Sequence, residues 1–269
     1  MVNLVTAIPF ANIEKISIYV NSKRKTMAQI KRELGCDYII NAGLFNMTTF
    51  RPMNYLVSDG KILSSNGGKF GFSFNGSVAC LSYDNNVNYP HHVSGYPCLI
   101  KDGEKAFTSV PAGLEGHRGR SAAGITKDAL ILRAVQDVSG SSDFTLDELY
   151  RDMKNRGCIH AINLDGGGSV QCDFYSNTIT SSRIVHNFIC VWLKKPGSEP
   201  VQPKPEPIAT KRVSVRTALN IRAGAPNALG INPTRVVGTY RNGEVVPVYE
   251  AKAGWWRTDR GWCYGLYLK

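Results

Sequence analysis

The residues best suited to chemistry form one short segment, Asn163-Leu164-Asp165-Gly166-Gly167-Gly168-Ser169, which follows an apolar run typical of a buried strand. Three consecutive glycines let the chain turn sharply and let backbone N–H groups approach a ligand closely. Consecutive N–H groups of this kind form a concave site for anions. At the mouth of the loop, the Asp165 carboxylate can act as a nucleophile, a general base or an acceptor for hydroxyl groups. The alternative is a plain glycine-rich turn capped by Asp.

Two helices and many short strands must position this loop. A T-x-x-E capping box at Thr145 begins one helix, whose apolar residues recur at helical spacing until Gly157 ends it. A second helix over Met27–Leu34, with Thr26 and Gln29 as its capping box, ends at Gly35. We therefore expect an α+β fold with a mixed sheet for residues 1–194. The predicted strands are Ile16–Val20, Tyr38–Asn41, Asn54–Ser58, Gly71–Phe74, Ala129–Ala134, Ile159–Leu164 and Phe188–Leu193.

The segments that follow the two helices are similar to each other. Each helix ends at Gly-Cys, and each following strand ends at Ile-Asn before a glycine-bearing loop. Two such units would bring Asn41 and Asn163 to one side of a sheet, where both side chains can bind sugar hydroxyl or amide groups. The alternative is a chance similarity over few residues.

The Asn-Leu-Asp-Gly-Gly-Gly-Ser segment resembles the signature of the phosphodiester glycosidase family. Further blocks between residues 38 and 193 follow in the same order as in the family. They are Asn41-Ala42-Gly43-Leu44-Phe45, Val57–Gly60, Gly95–Gly103, Arg120–Gly124, Thr145–Met153 and Arg183–Asn187. In the first of these blocks, Ala42 and Leu44 depart from the family pattern. This resemblance implies hydrolysis of a glycosyl-phosphate substrate, a sugar-1-phosphodiester, at its anomeric carbon. A phosphate monoester then departs.

The resemblance also implies roles for individual residues. Because phosphate is a good leaving group, stabilisation of its charge matters more than general-acid help. Arg120 and Arg183 are the expected phosphate contacts, since a guanidinium can hold phosphate oxygens bidentately; the alternative for each is a structural ion pair. Asp165 would stabilise or attack the oxocarbenium-like centre, or bind sugar hydroxyls. The expected catalytic residues are Asp165, Arg120, Asn163 and, as a second carboxylate, Asp137, and the expected substrate-binding residues are Asn41, Gly43, Gly166, Gly167, Gly168, Ser169, Arg183 and Asn187.

No metal or other cofactor is expected, because no segment has the residue spacing of a zinc or calcium site. His91, His92 and His117 can supply a proton near neutral pH, although solvated loop positions are the simpler interpretation. The seven cysteines show no C-x-x-C pair and are expected to be buried thiols, with disulfides in the first domain as the alternative.

The proline-rich segment 195–209 is expected to be an extended linker between two domains. Residues 210–269 resemble bacterial SH3 domains in the blocks Ala218–Pro226, Arg241–Tyr249, Gly254–Thr258 and Arg260–Leu268. The resemblance implies a small β-barrel that binds bacterial cell-wall polymers, with Trp256 and Trp262 in its core. The expected wall-binding residues are Tyr240, Trp255, Tyr264 and Tyr267.

Charge is concentrated in this second domain, where residues 210–269 hold ten Lys and Arg against three Asp and Glu in a chain of net charge +11. Such a field favours polyanions. We expect no nucleic-acid partner, because no nucleic-acid-binding motif accompanies the charge. Phosphate-rich wall polymers of the teichoic-acid type fit the domain pairing best.

No apolar run is long enough for a transmembrane segment, and no secretory signal precedes the first domain. These features predict that the protein is made in the cytoplasm and acts at the bacterial wall. It would reach the wall either after release, as a phage-encoded or lysin-like protein does, or as part of a phage particle. The competing hypothesis is a non-catalytic virion or adhesion component that binds glycans. The sequence determines neither the sugar nor the oligomeric state.

Overall fold

A computed structural model describes residues 2–67, 69–76, 78–83, 88–138, 144–175, 177–195 and 207–269. The chain divides into two compact units, Met1–Lys195 and Pro196–Lys269. Most of the proline-rich segment, residues 196–206, lies outside the described residues.

Short strands are the main secondary structure of the first unit. They are β1 Asn3–Pro9, β2 Ile13–Val20, β3 Tyr38–Asn41, β4 Phe45–Asn46, β5 Arg51–Pro52, β6 Leu56–Ser58, β7 Lys61–Ser64, β8 Phe70–Asn75, β9 Val78–Tyr83, β10 His91–Ser94, β11 Cys98–Lys101, β12 Glu104–Lys105, β13 Arg120–Ile125, β14 Ala129–Val135, β15 His160–Asn163, β16 Cys172–Phe174, β17 Asn177–Ile179 and β18 Asn187–Leu193.

These strands form three main sheets and one small hairpin. The sheet orders are β1-β14-β13-β15-β11-β12, β7-β6-β10-β8-β9 and β17-β16-β3-β18-β2, and β4 pairs with β5. Every strand pair among the described residues is antiparallel. The predicted α+β class with a mixed sheet is therefore wrong. Among the described residues, strands far outnumber helices, because the apolar runs are too short for helices and alternate with turns.

Both predicted helices are confirmed. They are α1 Met27–Leu34 and α2 Leu146–Asn155, and each begins with the expected capping box. Gly35 ends α1 in the left-handed conformation, with a φ of 62°. In α2 the side chains of Leu146, Leu149 and Met153 are buried, as their spacing predicts. Each helix covers a sheet rather than forming a layer with the other.

The second unit is a single antiparallel sheet with strand order β19-β22-β23-β24-β20-β21. Its strands are β19 Ala209–Arg212, β20 Ala218–Arg222, β21 Val236–Arg241, β22 Val245–Lys252, β23 Trp255–Thr258 and β24 Gly261–Tyr264. A small core that includes Leu219, Val248 and Cys263 lies within this unit.

The ends of β3 and β15 meet, and this junction positions the glycine loop. The backbone N–H of Asp165 donates to the carbonyl of Ala42 at 2.8 Å. The Asn41 side chain donates to the carbonyl of Asp165 at 2.7 Å. The expectation that both strands share one sheet is wrong, since β3 and β15 belong to different sheets.

All seven cysteines are free thiols, and five of them are buried. Among the described residues, no helix combines the length and apolar character needed to cross a membrane.

Candidate active site

Asp165 lies directly after β15, at the start of the glycine loop, and only 8% of it is exposed. Burial raises the pKa of Asp165 to about 6, because removal from water disfavours the charged carboxylate. Three neighbours oppose that rise: the Ser169 hydroxyl and the Gly166 N–H, which hydrogen-bond the carboxylate, and the positive charge of Arg183. Asp165 therefore ionises close to neutral pH, in the range useful to a base or nucleophile.

Arg183 reaches Asp165 through Ser169. Its Nη1 donates to the Ser169 hydroxyl oxygen at 3.0 Å, and that hydroxyl in turn bonds the Asp165 carboxylate. Ser181 holds the arginine in place: its hydroxyl accepts from the Arg183 backbone N–H at 3.0 Å and donates to the Gly168 carbonyl at 2.5 Å. A half-buried guanidinium thus lies beside a buried carboxylate, with one hydroxyl between them.

The loop needs glycine at two positions for close approach. A Cβ on Gly168 would lie 2.9 Å from Nη2 of Arg183, and a Cβ on Gly166 would lie 2.7 Å from the carbonyl oxygen of Gly119. The backbone does not offer the consecutive free N–H groups that the sequence predicts. Gly167 N–H donates to Gly119 O at 2.8 Å, and Ser169 N–H donates to Gly166 O.

Asp137, the predicted second carboxylate, lies next to the same loop, near Gly119 and Gly167. One of its oxygens accepts from the Gly119 N–H at 2.8 Å. The other lies 4.0 Å from the Cβ position of Gly167. Asp137 is exposed, whereas Asp165 is buried. Two carboxylates in contrasting environments therefore flank the three glycines.

Arg120 is predicted from the sequence to contact phosphate, and the geometry does not favour that role, because only 1% of the residue is exposed. Its guanidinium donates to the backbone carbonyls of Leu114, Gly116 and Phe144 at 2.8–3.0 Å. Burial lowers the pKa of Arg120 to about 10, so it is protonated at neutral pH. Arg120 is a positioning residue that fixes the segment before β13, including Gly119 under the glycine loop.

Asn41 and Asn187, which are predicted from the sequence to bind substrate, are fully buried, and their side chains bond within the fold. Asn41 accepts from the Ser121 hydroxyl and the Gln171 N–H while it donates to Asp165. Asn187 pairs with both backbone groups of Gly43, at 2.6 and 3.2 Å. Both amides hold the loops that surround Asp165, and Gly43, predicted to bind substrate, is itself buried.

Asn163 differs from these two amides. Its Nδ2 donates to the Tyr96 carbonyl at 2.7 Å. Its Oδ1 is buried and has no partner among the described residues. An unpartnered buried acceptor is costly, and a hydroxyl or amide N–H of a ligand would satisfy it.

The remaining predicted side chains are placed as follows. His91 and His92 are buried on β10, so their prediction as solvated loop residues is wrong, whereas His117 is exposed. Tyr240 is only 2% exposed and donates from its hydroxyl into the second unit's interior, so its prediction as an exposed wall contact is wrong. Trp255, Tyr264 and Tyr267 line one cleft of about 770 Å³ in that unit. No cluster of potential metal ligands occurs among the described residues.

Sequence reasoning misses Gly119, Ser121 and Ser181, which all support the loop. None has a distinctive spacing in the chain. Ser121 and Gly119 flank Arg120, which attracts attention for its charge, and Ser181 stands two residues before Arg183. Only their proximity to residues of interest could have identified them.

Comparison with known proteins agrees with this architecture. The phosphodiester glycosidase family matches residues 34–192. The mouse N-acetylglucosamine-1-phosphodiester alpha-N-acetylglucosaminidase is 26% identical over 172 residues, covering 55% of this chain and 33% of the mouse protein. The chain thus spans about a third of the length of that relative.

Solved structures share the fold of the first unit at low identity. The zebrafish N-acetylglucosamine-1-phosphodiester alpha-N-acetylglucosaminidase catalytic domain, auto-inhibited by its pro-peptide, has a TM-score of 0.57 at 17% identity, covering 71% of this chain and 82% of that one. A hypothetical protein from Synechocystis has a TM-score of 0.59 at 14% identity, covering 71% and 59%. A putative exported protein from Burkholderia pseudomallei has a TM-score of 0.53 at 11% identity, covering 71% and 73%.

Proposed function

The chain belongs to the phosphodiester glycosidase family, and on that premise we propose that it hydrolyses a sugar-1-phosphodiester of the N-acetylglucosamine-1-phosphodiester class. The observation that carries the proposal is the linked set Asp165, Ser169 and Arg183. It places a carboxylate that ionises near neutral pH one hydroxyl away from a cation, in a partly exposed glycine loop.

The proposed reaction breaks the bond between the anomeric carbon and the bridging oxygen. The electron pair of that bond stays with the phosphate oxygen, and water supplies the hydroxyl that ends on the sugar. Arg183 stabilises the departing phosphate through guanidinium N–H groups that face the loop, as a charged donor does at a developing anion. Ionised Asp165 stabilises or attacks the positively charged anomeric centre.

Asp137 and Asn163 complete the proposed site. Asp137 is exposed next to Gly167 and can take the proton of the attacking water. The unpartnered Oδ1 of Asn163 can accept from a sugar hydroxyl or acetamido N–H. Neither role requires Arg120, whose Nε and Nη2 donate to backbone carbonyls of its own unit.

The test measures sugar release from UDP-N-acetylglucosamine and from a p-nitrophenyl sugar phosphodiester, in water enriched in ¹⁸O. Cleavage at the anomeric carbon puts ¹⁸O in the sugar, whereas attack at phosphorus puts it in the phosphate. We expect Arg183→Ala and Asp165→Asn to lower kcat/KM by roughly 100-fold or more. Asp59→Asn is the matched control, because Asp59 is an exposed turn residue at a φ of 49° that Asn tolerates.

Two results would contradict the proposal. Label in the phosphate would show a phosphodiesterase, and unchanged turnover in both variants would remove Asp165 and Arg183 from the chemistry. Binding of the sugar phosphodiester without any released sugar would favour the non-catalytic glycan-binding alternative.

We further propose that the second unit holds the enzyme on a polyanionic bacterial wall glycopolymer of the teichoic-acid type. The support is its excess of basic residues and the cleft in which Trp255, Tyr264 and Tyr267 lie beside Arg216 and Arg222. Aromatic rings suit sugar faces and guanidinium groups suit phosphates. The ring of Tyr264 lies 5.4 Å from that of Trp255 and 6.1 Å from that of Tyr267, so the three form one row.

Co-sedimentation with purified Gram-positive walls tests this targeting. The proposal expects Tyr264→Ala to reduce the bound fraction, and stripping of the anionic polymer to do the same. Leu229→Ala should change nothing, because Leu229 is exposed outside the cleft. Equal binding to stripped and intact walls, or preferential binding to DNA, would contradict it.

A further inference from the structure

We propose that a second pocket in the first unit, here called the aromatic pocket, binds a pyranose ring of the substrate. It is lined by Gly67, Lys69, Phe70, Tyr83, Gly95, Tyr96, Pro97 and Cys98 and has a volume of about 320 Å³. This inference rests on the proposed function, because it assigns a sugar subsite next to the proposed catalytic loop.

The pocket exposes three aromatic rings that a folded core would normally cover. Phe70 is 37% exposed, Tyr83 51% and Tyr96 44%. Phe70 and Tyr83 pack edge to face, with their ring centroids 4.9 Å apart and their planes at 67°. Exposed aromatic surface gathered in a concavity indicates a binding site rather than scattered surface residues.

The pocket wall is fixed to the strand that delivers the catalytic loop. Tyr96 N–H donates to the Asn163 carbonyl at 3.0 Å, and Asn163 N–H donates to the Pro97 carbonyl at 3.1 Å. The Asn163 side chain bonds the Tyr96 carbonyl in addition. Gly95 permits this contact, since a Cβ there would lie 2.4 Å from the Cβ of Ile162. Tyr96 is therefore anchored to a residue only two positions before Asp165.

The chemistry of the lining favours a sugar ring over other ligands. The negative face of an aromatic ring attracts the polarised C–H groups on one face of a pyranose. The two edge-to-face rings form a corner rather than the parallel slot that would enclose a flat nucleobase. Lys101 lies over Phe70, with its Nζ 5.1 Å from the ring centroid, and adds positive charge suited to a substrate that carries phosphate. The volume suits one ring and is too small for an oligosaccharide.

Asn163 connects the pocket wall to the catalytic loop without lining the pocket itself. Three bonds join it to Tyr96 and Pro97, two through the backbone and one through its side chain. Because Asn163 lies two positions before Asp165, a ring bound against Tyr96 is held at a fixed position relative to the catalytic loop.

Ring-selective NMR tests binding without any need for turnover. The full chain is labelled with ¹³C in its Tyr and Phe rings and titrated with methyl N-acetyl-α-glucosaminide, which has no phosphodiester to hydrolyse. We expect saturable shifts for Tyr83, Tyr96 and Phe70, and none for Tyr175, which is 63% exposed elsewhere on the same unit. Uridine monophosphate serves as the nucleotide probe and should leave these three rings unshifted.

Variants separate this proposal from the proposed function. Tyr96→Ala and, independently, Tyr83→Ala should weaken glycoside binding by about tenfold, while Tyr175→Ala leaves it unchanged. Absence of saturable shifts, shifts that survive both substitutions, or shifts produced by uridine monophosphate alone would overturn the assignment of the aromatic pocket. If UDP-N-acetylglucosamine is still hydrolysed in that event, the proposed function stands without this subsite. If the rings shift but no substrate is cleaved, the subsite stands and the proposed reaction fails.

Discussion

Substitution of Ser169 by alanine tests the connection between Arg183 and Asp165 directly. The Ser169 hydroxyl donates to the Asp165 carboxylate, and it accepts from Arg183 Nη1 at 3.0 Å. Among the groups that lower the pKa of Asp165, this hydroxyl has the largest effect. Burial raises the pKa of Asp165, and the Ser169 hydroxyl lowers it. Without the hydroxyl, the pKa of Asp165 must rise above its present value of about 6.

The size of the rise follows from the strength of one bond. A hydrogen bond to a charged group contributes roughly 1.5–3 kcal/mol, and one pKa unit corresponds to about 1.4 kcal/mol. The acid limb of kcat/KM should therefore move from near pH 6 upward by about one to two units. Activity at pH 6 falls strongly, and activity above pH 8.5 falls much less.

The assay is the pH dependence of kcat/KM for UDP-N-acetylglucosamine, together with ¹³C NMR titration of the Asp165 carboxyl. Ser58→Ala is the matched control, since Ser58 is also buried and donates to a backbone carbonyl, that of Ile18 at 2.7 Å, without contact to the loop. An acid limb that stays at the wild-type pH in Ser169→Ala would refute the reasoning, because the hydroxyl would then not hold the carboxylate in its charged form.

Three further predictions concern stability and geometry. Asp165→Asn should raise the free energy of unfolding at pH 8 by about 3 kcal/mol, because the pKa of Asp165 is 3.8 before burial and about 6 in the folded protein, and each unit corresponds to about 1.4 kcal/mol. Since the folded-state pKa is the higher one, wild-type stability is lost as pH rises from about 4 to about 6. Urea unfolding at pH 4 and pH 8 measures the difference. Arg120→Ala should lower the free energy of unfolding by about 3 kcal/mol, because a fully buried side chain is removed and three backbone carbonyls lose their charged donor. The urea midpoint should fall accordingly. Gly168→Ala should lower kcat/KM with little change in Tm, because its Cβ displaces the half-exposed Arg183 and strains no backbone.

Each of these has a result that contradicts it. Equal pH dependence of unfolding in wild type and Asp165→Asn would mean that the carboxylate is not desolvated. If Arg120→Ala keeps wild-type stability and loses only activity, Arg120 contacts the substrate and is not a positioning residue. Unaltered kinetics in Gly168→Ala would show that Arg183 does not act from its position over the glycine loop.

The chain's local patterns determine much of the molecule. Capping residues and apolar spacing fix α1 and α2, because these interactions join residues three or four apart. The strand Tyr38–Asn41 has the predicted bounds, and the glycine loop after β15 lies where an apolar run meets three glycines. The family also follows from local motifs, since Asn163–Ser169 and the blocks around it are contiguous in sequence.

Tertiary structure alone decides what each polar residue does. Asn41 and Asn163 end similar strands, yet one has its side-chain groups bonded within the fold and the other keeps a buried acceptor unpartnered. Arg120 and Arg183 are alike as residues, yet burial directs the first to backbone carbonyls and leaves the second beside the carboxylate. The reason is physical: desolvation and hydrogen-bond partners come from segments far apart in the chain, and sequence spacing carries no information about which of them meet.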